Sequence, residues 1–237
     1  KEDQATARAA KAAEVDRAIA NFDKLLMADA GAGSAIARHW AATREAWATL
    51  QGQVAGKALD GPASSARHGE LIARMLGDVD LALDHWGLLF DPTPGPYYLI
   101  IGALQEAPRM IEVMGQMRAR GANLLSAPDK ATPVQRTGYA MLAENLRMQF
   151  VRVTFNLQRA ADSGAGDSAA LQKIVGELTA HGASGVAYTR KHVVEPETLS
   201  HDSASFYTDT TRIIDAMYAG LAGLLGRLDA ALEARAR

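Results

Sequence analysis

SASFYTDTTRIIDAMYAGLAGLLGRLDAAL, residues 203–232, sets Tyr207, Thr210, Ile214, Met217, Leu221, Leu224, Leu228 and Leu232 at three- and four-residue steps. That spacing stacks one apolar side chain per turn along a single stripe, the seam of a helix packed against other helices. The same period recurs upstream. Val15, Ile19, Phe22 and Leu26 mark a helix over residues 5–29. Ile36, Trp40, Thr43, Trp47, Leu50 and Val54 mark a second, with Ser34 as its cap. Ile72, Met75, Val79, Leu83, Trp86 and Phe90 mark a third over 65–89, capped by Ser64 or Ser65.

Breakers fall between these stripes. Gly31-Ala32-Gly33, residues 56–62 and Gly164-Ala165-Gly166 interrupt the period, and the run Asp91-Pro92-Thr93-Pro94-Gly95-Pro96 stops the third helix. A fourth helix is predicted from Pro96 to Ser126 with an irregularity at Pro108, and a fifth from Pro133 to Ala161. A sixth, capped by Asp167 or Ser168, reaches Val194, and Asp202 or Ser203 opens the last. No stretch alternates as a half-buried strand would. The expected fold is all-α: an elongated antiparallel bundle of six to seven helices in one domain, 1–237, built as two stacked four-helix bundles sharing long helices.

Composition narrows the function. The 25 basic and 27 acidic residues nearly cancel, so the basic surplus expected of a nucleic-acid binder is absent. With no Cys there is no thiol nucleophile, disulfide or Cys-ligated metal. No apolar run approaches the ~20 residues of a membrane span. The chain opens at Lys1 in a charged, Ala-rich segment, and it is expected to be part of a longer protein.

No catalytic set emerges, no cofactor is implied, and the chain reads as non-enzymatic. Glu177 with His181, and His192 with Glu195, have spacings that share a helix face, but neither matches a metal motif. Met110, Met114 and Met117 read as core filler. Polar residues on apolar stripes are more informative. Stepping from Leu104 through Ile111 and Met114 reaches Arg118, which must either meet an internal carboxylate or an anionic ligand, or snorkel to solvent. His68 falls on the stripe of Ile72, as a ligand-binding or a packed histidine. Gln149 and Arg152, in a polar strip with Asn145 and Asn156, line either a pocket or a solvated face. Tyr97 and Tyr98 either close a pocket or pack a bundle end.

The segment from Trp86 through Asp91-Pro92 to Tyr97-Tyr98-Leu99, then Ala107-Pro108 and Met114-Gly-Gln-Met-Arg118-Ala-Arg-Gly121, carries a motif. It resembles the LxLDPDxDSYYLMD…LPxLxxxLGxLRxxG pattern of periplasmic helical ectodomains in methyl-accepting chemotaxis proteins and related membrane-bound histidine kinases and diguanylate cyclases. His68 with Leu71-Ile72, and the ending from Leu228 to Arg235, are similar to further stretches of that family. Gly95-Pro96 and Ile100-Ile101 stand where the family pattern has acidic-Ser and Met-Asp pairs. The resemblance implies a periplasmic sensor domain tethered to the inner membrane by spans outside the chain, a small-molecule ligand, a homodimer, and signalling by helix displacement. Arg118 and the tyrosines point to an organic anion such as a carboxylate. A non-catalytic adaptor binding protein partners is the alternative reading of the same helices.

Overall fold

The computed structural model describes the backbone of residues 2–31, 33–164 and 168–236, and the side chains of those between 5 and 235. The expected cap at Asp167, the Ala165-Gly166 part of the second glycine break, and Ala32 lie outside the described residues. Among the described residues the regular structure is all helical. The helices are α1 (Glu2–Asp29), α2 (Ala35–Ala55), α3 (Gly61–His85), α4 (Pro94–Ile100), α5 (Ala107–Ser126), α6 (Pro133–Asp162), α7 (Ser168–Thr189) and α8 (Ser203–Ala236). A π-helical stretch, Ile101–Glu106, joins α4 to α5 in one continuous run, and another, Arg190–Val194, extends α7. The chain divides into two compact units, Lys1–Trp86 and Gly87–Arg237, so α1–α3 lie in the first and α4–α8 in the second.

Most boundaries follow capping chemistry. Ser34 caps α2 as expected, its hydroxyl accepting from the Ala37 N–H at 3.2 Å. The cap of α3, however, is Asp60 and neither Ser64 nor Ser65: Asp60 Oδ1 accepts from the Ala63 N–H at 2.7 Å, and Pro62 fits the first turn because its missing N–H is not needed there. The same tolerance lets α4 begin at Pro94, ahead of the expected Pro96. α3 stops before the expected Leu89 because Gly87 takes a left-handed φ of 67°. Phe90, predicted on the buried stripe, is 76% exposed as a result.

The irregularity expected at Pro108 takes the form of the π stretch just before it. A proline inside a helix removes one hydrogen bond and clashes with the carbonyl four residues back. Here the Ala107 N–H reaches back five residues to the Gly102 carbonyl, and the Arg109 guanidinium donates to the Gln105 carbonyl at 2.5 Å.

In unit 1, Leu26, Ile36, Ala37 and Trp40 form the core where α1 turns into α2, with the Phe22 ring edge-on to Trp40 at 4.7 Å. Asp23 accepts from the Trp40 indole at 2.6 Å, and Asp16 from the Trp47 indole at 2.7 Å, which fixes α1 along α2. Asp78 of α3 is a buried carboxylate met by His39 Nδ1 of α2 at 2.5 Å.

In unit 2, α5 packs along α6 and α8, and α7 packs along the same two helices. Met110, Met114 and Met117 are fully buried between them, as core filler. The glycines show the directions. A Cβ at Gly185 would meet Ile213, one at Gly220 would meet Leu178, and one at Gly223 would meet Ile174, so α7 and α8 pass each other in opposite senses. At Gly121 a Cβ would stand 2.5 Å from Phe206 Cε1 of α8 and 2.9 Å from the Tyr139 hydroxyl oxygen of α6, and at Gly182 of α7 one would stand equally close to the Phe150 ring of α6.

Gly121→Ala therefore overpacks a site with ring and helix on opposite sides, and should cost about 1–3 kcal/mol. Gly115→Ala, six residues earlier with open space at its Cβ, should instead gain about 0.5–1 kcal/mol from helix propensity. Thermal denaturation of the two variants should show Tm shifts of opposite sign.

Candidate functional site

The run from α4 to α5 separates the residues that the sequence set together. Tyr97 and Tyr98 sit at its start and Arg118 near its end, 20 residues beyond Tyr98. At 1.5 Å per residue that is roughly 30 Å of helix. The tyrosine rings meet edge-on at 5.3 Å, and the Arg159 guanidinium of α6 lies over Tyr98 at 4.9 Å. They pack this end of unit 2.

Arg118 is half-buried and bridges to α8: its Nη1 donates to the Thr211 hydroxyl at 3.0 Å, and its Cζ lies 4.8 Å from the centre of the Tyr207 ring. Its Nε is buried without a partner, and no carboxylate pairs with it among the described residues. The cation–π contact takes the place of the internal carboxylate. Tyr207, predicted on the buried seam of α8, stays 47% exposed because it covers that guanidinium.

Gln149 and Arg152 stand one turn apart on α6. The Gln149 carbonyl oxygen is buried and unpartnered. Arg152, though 61% exposed, reaches Glu106 Oε1 at 2.5 Å, and that carboxylate is 6% exposed. Glu106 is not legible in the sequence, because an acid on a π stretch cannot be placed by counting threes and fours. His68 belongs to unit 1 and is exposed, which corrects its expected inward position; its Nδ1–H donates to the Ser64 carbonyl at 2.7 Å. The six residues are thus not one site.

Two arrangements at the Gly121 end of unit 2 were not foreseen. In the first, the Tyr188 hydroxyl donates to Asp209 Oδ2 at 2.9 Å and accepts from His201 Nε2 at 3.0 Å. Carboxylates only accept, so the phenol proton goes to Asp209 and the imidazole must carry its hydrogen on Nε2. His192, on the π extension of α7, lies 3.9 Å from His201, ring to ring. Burial, and next the Asp209 carboxylate, push the Tyr188 pKa up to about 12. Burial, reinforced by His201 and Lys191, holds His192 below its ordinary value.

In the second, the C-terminal turns of α5, the Pro128–Lys130 turn and the first turns of α6 enclose a cleft of about 380 Å³. Arg120, Asn123, Lys130, Gln135 and Tyr139 are its polar lining, and no Asp or Glu is among the lining residues. Neither Arg120 nor Lys130 is engaged in an ion pair among the described residues. Tyr139 is 1% exposed and its hydroxyl has no partner, so burial pushes its pKa up and keeps it a neutral donor. Two cations, two amides and a phenol around a small cleft can take an anion; nothing there can act as nucleophile and base together.

Comparison with family models, with curated proteins and with solved structures yields no match.

Among the described residues no group of three or more His, Asp or Glu could hold a metal ion, and no helix is long and apolar enough to cross a membrane.

Because the folded state holds His192 neutral, the unfolded chain binds its proton more readily. That contribution to stability is complete above the ordinary histidine value of 6.5 and is lost on acidification through the lower folded value. Urea midpoints at pH 7.5 and 5.5 should fall with acid in the wild type, and the fall should shrink in His192→Gln.

Proposed function

We propose that the chain is the ligand-binding sensor portion of a bacterial transmembrane receptor, reading a small organic anion in the cleft between α5 and α6. The cleft carries the reading: Arg120 and Lys130 face one small volume with no acid on its walls. Their charges are exposed enough to draw an anion in, and the amides of Asn123 and Gln135 give it direction. The motif from Trp86 to Gly121 supports the receptor assignment, and ends within the same helix, one residue after Arg120. In this reading helices α5 to α8 form an antiparallel four-helix bundle in the periplasm, and the output lies in cytoplasmic domains, whether chemotactic, kinase or cyclase.

The signal leaves through α8. Phe206 packs on Gly121 of α5 beside Tyr139 of α6, while Thr211 and Tyr207 hold Arg118. An anion drawing the start of α6 toward the end of α5 shifts that contact, and a close-packed contact repacks between discrete positions rather than stretching.

The reading includes a homodimer. Val134, Met141, Met148 and Phe155 are exposed on α6 at seven-residue intervals, with Val151 beside them. That is helix-pairing spacing on an outer face, and it fits the same helix of a second copy. Light scattering should show a dimer that Met148→Glu with Phe155→Glu converts to monomer; a wild-type monomer at all concentrations would remove the dimer from the proposal.

Thermal-shift titration with acetate, succinate and benzoate tests the ligand. Binding at a hundredfold excess over Kd stabilises by about 2.7 kcal/mol. Arg120→Ala and Lys130→Ala should abolish the shift, while Arg118→Ala should lower the starting Tm yet keep it. An anion effect that survives loss of both Arg120 and Lys130 would exclude the cleft.

A further inference from the structure

Unit 1 leaves a trough of about 580 Å³ open between its three helices. Its walls are Val15 of α1, Trp47 and Leu50 of α2, and Leu71, Ile72 and Met75 of α3. The helical period predicts several of these as interior seam, yet Trp47, Ile72 and Met75 are only half-buried, because among the described residues of unit 1 nothing closes the space between α1 and α3. Exposed apolar surface of this extent on a small unit marks a place where something binds.

The charged residues that line the trough are basic. Arg8 and Lys11 of α1 and His68 of α3 line it, and among the described residues no acid does. Arg8 and Lys11 share one end. Asp23 meets Trp40 and Asp16 meets Trp47, so α1 runs against α2 and its residues 8–11 reach the level of Val54 and Ala55. His39 meets Asp78, so α3 also runs against α2, and His68 stands near the level of Thr49, further along the trough toward Val15. Val15, Trp47 and Met75 form the opposite end. His68 donates its Nδ1–H to the Ser64 carbonyl, so Nε2 of the neutral ring is an acceptor and the basic side chains of Arg8 and Lys11 are the donors an anion would meet. Lys11 pairs with Glu14 at 2.8 Å along its own helix, an exposed contact that a second acceptor can share.

Size selects the kind of occupant. A helix about 10 Å wide would use up this volume in roughly one and a half turns, too little to seat a partner helix. Pockets of about 300–1,000 Å³ are those that enclose small molecules. We propose that the trough binds an amphipathic carboxylate of medium chain length, its tail along Trp47, Ile72 and Met75 and its carboxylate at Arg8 and Lys11. The site is separate from the cleft between α5 and α6, and either can stand without the other.

Isothermal titration of the 237-residue chain with monomeric decanoate, decanol and butyrate tests this. Decanoate should bind, with decanol and butyrate each at least about tenfold weaker, because one lacks the charge and the other the tail. Arg8→Gln with Lys11→Gln, both surface changes, should cut decanoate affinity about tenfold and erase its advantage over decanol. Ile72→Trp, with its helical circular dichroism intact, should fill the trough and abolish binding. No binding of decanoate to the wild-type chain would overturn the proposal. So would equal affinity for decanol, an unchanged affinity in the Arg8 and Lys11 double variant, or capture by phosphatidylglycerol vesicles without binding of the free acid.

Discussion

The Phe206 ring occupies the space that any side chain at residue 121 would need, and one end of unit 2 is organised around that fact. With only hydrogen on Gly121, α8 comes close enough for the ring edge to touch α5 while Tyr139 arrives from α6. The other face of Phe206 stacks on Tyr188 of α7 at 5.6 Å. Three long helices of the unit, α5, α7 and α8, therefore meet through one aromatic ring, and Tyr139 brings α6 to the same glycine. Contacts nearby depend on the same spacing: the Ser203 hydroxyl donates to the Ala122 carbonyl at 2.8 Å, and Arg118 can span to Thr211 only because the helices lie so near. The cleft with Arg120 and Lys130 opens on the flank of this junction, sharing Tyr139 with it.

In each unit a buried carboxylate is answered in the same manner. Asp78 is held by His39 and Glu106 by Arg152, and in both pairs the acid is buried while the base stays largely in solvent. The arrangement places the acid beside a hydrogen-bond donor without stripping the base of its hydration, which lowers the desolvation penalty that makes fully buried pairs expensive. It also pins helices that have few other polar ties: α2 to α3 in unit 1, and the π stretch to α6 in unit 2.

Helix number and type were legible in the sequence because period and breakers are local properties. Ser34, Pro133 and the stripe of Ile214, Met217, Leu224 and Leu228 behave as read. Errors arose where a local rule had two solutions. Asp60 and Ser64 are both good caps, and the choice between them depends on how early α3 must begin to place Asp78 opposite His39. Tyr97, Tyr98 and Arg118 are neighbours in a motif, yet a continuous helix through the π stretch keeps them far apart. His68 and Ile72 carry the period of a core residue, but whether an apolar stripe is covered or left as the wall of a trough depends on a neighbour that the period does not reveal. The cleft was illegible for a related reason: Arg120 and Lys130 read as surface charge until the turn between α5 and α6 folds them toward one space.

The glycines that bring α7 and α8 together have a mechanical side. Gly220, Gly223 and Gly226 fall within seven residues of α8, and each lowers intrinsic helix stability by about 1 kcal/mol relative to Ala. Only the first two are in contact with side chains of α7, Leu178 and Ile174. This stretch of α8 is thus held straight by its neighbour more than by its own backbone. Stiffness there is borrowed, and a change that loosens α7 makes α8 more compliant at the same level, several turns away from the junction where Phe206 grips α5.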